Sequence, residues 1–199
     1  MPTRTAAPLA ALALIGLTAC SASAEADHYL DLSDQPMPAS AVELSTVDGR
    51  DWTFTDVADD RLTLLFFGYT SCPDVCPMTM AELNLALEEA EAESGDLYDV
   101  VMVTTDPARD TDEQLGTWLE RFDPDFQGVR GDIDATVEAA SDYGIPVEAP
   151  EETDGDYLVS HGERIAVLTP DGEAAGFIDD GTGSEDIAAL LPDLAEDLL

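Results

Sequence analysis

The chain has 199 residues, 45% hydrophobic and 26% charged, an ordinary globular composition that excludes a disordered tract, a collagen-like fibre and a multi-span membrane protein. Its charge balance is not ordinary: 44 acidic residues face 7 basic ones, every one an arginine, for a formal net charge of -37. A field of that sign repels phosphate backbones and anionic headgroups, so neither a nucleic-acid partner nor electrostatic docking on lipid is expected.

Residues 1–24 (MPTRTAAPLAALALIGLTACSASA) carry one arginine, Arg4, an apolar run from Leu9 to Leu17 and then small residues, the pattern of a secretory signal. The run is too short to cross a bilayer, which takes about 20 residues. Its end, Leu17-Thr18-Ala19-Cys20, resembles a bacterial lipobox. That implies a signal peptide over 1–19 and an exported protein held by a lipid on Cys20 at the outer face of the bacterial cytoplasmic membrane. Cleavage after Ala24 is the competing outcome and would release a soluble exported protein. Residues 20–40, small, polar and proline-punctuated, read as a tether, with His28 an exposed linker histidine, and the folded domain as 41–199.

Within the domain, Val42 to Phe54, broken at Asp48-Gly49, predicts a β-hairpin, and Leu62 to Phe67 (LTLLFF) a strand buried on both faces. Pro77 to Glu93 predicts a helix with Met80, Leu83, Leu87 and Ala90 on one face. A strand over Tyr98 to Thr104, a helix over Thr111 to Phe122, a short strand near Phe126 to Val129 and a helix over Ile133 to Tyr143 follow. After an acidic loop at 148–156, strands are predicted at Tyr157 to Ser160, Arg164 to Thr169 and Ala174 to Ile178, then a helix from Ser184 that Pro192 bends. The alternation predicts an α/β fold, a mixed central sheet flanked by helices with an N-terminal β-hairpin.

With Cys20 assigned to the anchor, two cysteines remain, Cys72 and Cys76, between the apolar strand and the helix after it. A disulfide closing so small a loop removes little entropy from the unfolded chain, so a chemical role is the better reading. At the start of a helix the Cys76 thiol should be acidified by the dipole. Two convergent sulfurs select soft ions such as Cu(I) or zinc over magnesium or calcium. They also suit metal-free redox work, and spacing alone does not separate the two. The domain's one histidine, His161, shifts the reading toward metal: a Cys2His set gives a three-coordinate site suited to Cu(I), or to Cu(II) with an added weak ligand, whereas zinc normally takes a fourth ligand.

Three runs in order, FFGYTSCPDVCPMTM at Phe66 to Met80, VTTDPARDTDEQL at Val103 to Leu115, and DYLVSHGERIAVLTPDG at Asp156 to Gly172, resemble the Sco/SenC family of copper-delivery proteins. The resemblance implies a thioredoxin-like fold and copper held by Cys72, Cys76 and His161. It further implies delivery of that copper to, or reduction of the thiols of, the copper A centre in subunit II of cytochrome c oxidase, with a copper donor or thiol reductant as a further partner. The family usually places Asp before its histidine and Ser after it; here Ser160 and Gly162 stand there. Asp74 and Asp106 match acidic positions of the family, and neither is read as a ligand. Met78 and Met80 offer thioethers, with Met80 read as core. Three metal-free or non-donating alternatives use the same residues: a thiol-disulfide oxidoreductase on Cys72 and Cys76, a thiol peroxidase with Arg109 or Arg130 approaching Cys72, and a copper sensor that binds without donating.

Overall fold

A computed structural model describes residues 28–56, 60–90, 95–150 and 155–199. The signal segment, Cys20 and the predicted helix end at 91–93 lie outside the described residues. In chain order the elements are β1 (Tyr29–Asp31), β2 (Leu44–Thr46), β3 (Asp51–Trp52), β4 (Leu62–Gly68), α1 (Val75–Ala90), β5 (Tyr98–Thr104), α2 (Asp112–Leu119), β6 (Gln127–Arg130), α3 (Ile133–Asp142), β7 (Ile165–Leu168), β8 (Ala174–Ile178) and α4 (Ser184–Leu198). The eight strands make one mixed sheet in the order β1-β8-β7-β4-β5-β6-β2-β3. β4, β5 and β6 run parallel, joined by helical crossovers, while β7 returns antiparallel on the other edge of β4.

Every residue of β4 is buried, and its side chains alternate between two cores. Leu62, Leu64 and Phe66 pack with Met80 and Leu83 of α1, Leu115 of α2 and Leu191 of α4, whereas Leu65 and Phe67 meet Phe54, Tyr143 and the alanines of α3. Helices on both faces are the physical reason that the run LTLLFF is continuous rather than alternating. Local signals start two of the helices: Thr111 caps the N-terminus of α2 by accepting from Gln114 N, and Asp132 caps that of α3 by accepting from Ala135 N. The strand C-termini of β4 and β5 therefore open onto one edge, where the loop carrying Cys72 begins.

Three expectations are corrected. The tether reading fails over its described part, because Tyr29–Asp31 is an edge strand on β8 and Met37 bridges Ala174. Gly176 admits this crossing: a Cβ there would lie 2.1 Å from the Tyr29 hydroxyl. His28 is accordingly half-buried, with Nε2 3.4 Å from Asp186 Oδ2. Residues Tyr157 to Ser160 form no strand; the sole pairing of this stretch is a single bridge between Val147 and His161, flanked by Glu148 N–H donating to Ser160 O (3.0 Å) and Gly162 N–H to Pro146 O (2.6 Å). Lastly, α1 starts at Val75, two residues before Pro77, so Cys76 lies inside its first turn.

Candidate metal centre

Cys72 lies in the turn after β4, Cys76 in the first turn of α1, and His161 on the irregular segment before β7. Folding brings Cys72 Sγ, Cys76 Sγ and a ring nitrogen of His161 within 4.8 Å of one another. Bonds of about 2.3 Å to sulfur and about 2.0 Å to imidazole nitrogen put the donors of a three-coordinate ion about 4 Å apart, close to the spacing present. Cys76 Sγ is 3.6 Å from His161 Nε2, and the Cys76 main-chain N–H donates to Cys72 Sγ at 3.4 Å. Both cysteines are free thiols.

The three groups are unequally exposed. Cys76 is fully buried, Cys72 and His161 are half-buried, so a bound ion has Cys76 behind it and the other two ligands at the mouth. Burial is also what overturns the expected acidification of Cys76. It pushes that thiol well up, with a smaller upward push from the Cys72 sulfur, and the main-chain groups of Tyr69 and Cys76, which lower it, do not compensate. Metal binding must therefore displace a proton from this sulfur.

His161 Nδ1 is 3.0 Å from Gly162 O; a carbonyl only accepts, so Nδ1 carries the proton and Nε2 presents its lone pair to the sulfurs. The acceptor for Nδ1 is thus main chain, and Ser160 is exposed. Phe66 and Tyr69 hold the imidazole edge-on, at centroid distances of 5.9 Å and 5.7 Å. Gly68 is required beneath Cys76, since a Cβ there would lie 3.0 Å from Cys76 Sγ and 2.5 Å from Phe66 Cε1.

Gly162 is equally constrained: a Cβ would sit 2.9 Å from both Ile145 Cγ2 and Pro146 Cδ. Gly162→Ser, which restores the residue usual in the family, is expected to cost about 1–3 kcal/mol of overpacking and to displace the neighbouring imidazole. The readout is a lower Tm together with weaker Cu(I) binding; a variant unchanged in both would show that the 145–146 turn yields freely.

The other flagged residues fall outside the donor set. Asp74 is exposed beside the thiols, Met78 is 49% exposed, and Met80 is buried in the core as its spacing predicts. The Arg109 guanidinium is ion-paired with Asp106 and stacked 3.6 Å over the Tyr157 ring, and Arg130 is bonded to Asp112 Oδ1 (2.7 Å) and Pro107 O (3.0 Å). Neither is hydrogen-bonded to Cys72 as an activating arginine of a thiol peroxidase would be. Sequence reasoning missed Tyr69 and Tyr157, which no periodicity or spacing distinguishes from core aromatics.

The SCO1/SenC family profile matches residues 35–196. A protein of Stutzerimonas stutzeri is 34% identical over 162 residues, which is 81% of this chain and 79% of that one. Protein sco1 of Schizosaccharomyces pombe is 27% identical over 168 residues, 83% of this chain and 64% of its own length. Among solved structures, Arabidopsis thaliana ScoI with copper bound is similar at a TM-score of 0.70 and 26% identity, covering 80% of this chain and 96% of that one. Bradyrhizobium japonicum ScoI with copper bound gives 0.68 and 27%, covering 81% and 99%. The thioredoxin-like fold implied by the three runs is the one observed. With the match extending from before β2 into the last helix, this chain belongs to the SCO1/SenC family.

Proposed function

We propose that the protein carries one copper ion on Cys72 Sγ, Cys76 Sγ and His161 Nε2 and delivers it to the copper A centre of cytochrome c oxidase subunit II. The observation that carries this reading is the convergence of two thiols and a distant imidazole within 4.8 Å. Two sulfurs and one nitrogen favour a soft ion, and the related solved structures described with copper bound support copper as that ion. Three-fold coordination leaves room for an entering ligand. An acceptor thiolate approaching from the side of half-buried Cys72 and His161 can bond the ion before either lets go, so copper passes without being freed into solvent.

The same pair supports a reductive step. Cys72, the more accessible sulfur, attacks an acceptor disulfide, forming a mixed disulfide and releasing one acceptor thiolate. Cys76, lying directly behind it, attacks the Cys72 sulfur and releases the second, so two electrons leave the dithiol as a Cys72–Cys76 disulfide.

The Leu17 to Cys20 pattern supports export and a lipid anchor on Cys20. Among the described residues no helix is long and apolar enough to cross a membrane. An N-terminus found unmodified at Glu25 by mass spectrometry of native protein would overturn the anchor. Deletion of the gene is expected to remove oxidase activity together with its copper A signal, restored by the native chain and not by Cys76→Ser. Normal oxidase in the deletion strain would overturn delivery.

A further inference from the structure

The turn that follows β5 touches both arms of the site. Asp110, fully buried, accepts from Thr70 N (3.0 Å), Thr70 Oγ1 (2.5 Å) and Thr104 Oγ1 (2.6 Å), which ties the start of the cysteine turn to the end of β5. Asp106, 1% exposed, accepts from the Tyr157 hydroxyl at 2.7 Å and from Arg109 Nε, and the Arg109 guanidinium lies 3.6 Å over the Tyr157 ring and 5.7 Å from the Tyr69 centroid. Tyr157 opens the segment that ends in His161. Main-chain pairing holds only the His161 end of that segment, through the bridge to Val147 and the two bonds that flank it, so the Tyr157 anchorage holds the other end.

We propose that Asp106, Arg109 and Tyr157 form a clamp that positions His161 Nε2 over the two sulfurs, while Asp110 independently holds the sulfurs. The three are positioning residues, not ligands. The clamp decides whether the thiols hold copper with or without the imidazole, and it rests on the copper reading above. A burial argument supports the division of labour: an almost fully buried carboxylate is retained only when its bonds are satisfied, and both oxygens of Asp106 are spent on this one segment and on the arginine that stacks on it.

The test is a double-mutant cycle on Cu(I) affinity, measured against a competing chelator. Tyr157→Phe keeps the stacked ring and deletes the bond to Asp106; Asp106→Asn also breaks the ion pair, and if it does not fold, Tyr157→Phe carries the test. Each is expected to weaken Cu(I) binding about tenfold in the native background, the low end of what loss of a supporting contact costs a metal site, and to have no effect in a His161→Ala background. Equal losses in both backgrounds would show a general structural role and overturn the clamp, as would native affinity in Tyr157→Phe.

A metal-free measurement separates this from the copper reading. In apo protein the His161 ring protons, held edge-on against Phe66 and Tyr69, are expected to shift toward random-coil positions in Tyr157→Phe. Unmoved resonances would overturn the clamp whether or not copper binds, and a native chain that binds no copper while these resonances do move would sink the function and leave the clamp standing.

Discussion

Cys72→Ser, Cys76→Ser and His161→Ala are each expected to abolish tight Cu(I) binding while leaving the fold in place. Loss of a contact that merely supports a ligand already costs a metal site about 10–100-fold, so removing a donor atom itself should exceed about 100-fold. The serine variants exchange a soft sulfur for a hard hydroxyl of similar size that offers Cu(I) little, and at Cys76 the hydroxyl occupies the sulfur's place above Gly68. His161→Ala carries more information, because it leaves both thiols intact. It should lose copper in a chelator competition yet keep a dithiol titre of two and the capacity to reduce a disulfide. Native affinity in His161→Ala would remove the imidazole from the site; loss of copper with retained reduction would separate the carrier role from the reductant role in one protein.

How much of this was legible beforehand depends on how locally each feature is encoded. The β4 run, the amphipathic spacing of α1 and the starts of α2 and α3 are local, and these elements begin where the residues place them within about two positions. The trio of Cys72, Cys76 and His161 was legible because beyond residue 40 the sequence holds only two cysteines and one histidine, so the candidates were few. What failed is non-local. Tyr157 to Ser160 has the apolar content of a strand, but its tyrosine is claimed by Asp106 and Arg109 and its Leu158 is left 73% exposed. The edge strand at Tyr29 is three residues long, below what any periodicity reveals. The acidity expected of Cys76 from its place at a helix start does not hold, because burial that only tertiary packing produces pushes the thiol up instead. Gly162, read as a departure from the family, is explained by Ile145 and Pro146 closing on it from a separate segment.

The midpoint of thermal unfolding at pH 7 is expected to rise by about 20 °C or more between 10 mM and 1 M sodium chloride. The formal charge of -37 has almost no internal compensation: Arg50, Arg61, Arg109, Arg130 and Arg164 already hold one carboxylate each, and no lysine is available. At 10 mM salt the Debye length is about 30 Å, longer than the domain's own radius of about 20 Å, so each carboxylate is repelled by nearly all the others; at 1 M it is about 3 Å and only immediate neighbours count. Charge of this size on such a sphere has a self-energy on the order of tens of kcal/mol at low salt, which expansion of the chain relieves. Net stabilities are only about 5–15 kcal/mol, so this repulsion is large enough to decide whether the domain is folded. Placing positive charge where the fold already favours it tests the cause. Glu196 and Asp197 are exposed in the last turn of α4, which has no basic residue to complement the negative helix end, and Glu89 is exposed near the end of α1. The triple lysine variant should melt higher than the native chain at 10 mM salt and respond less steeply to added salt. A melting temperature that moves by only a few degrees across that range would mean that the excess carboxylates lie too far apart, or are too well hydrated, to act on the folded state.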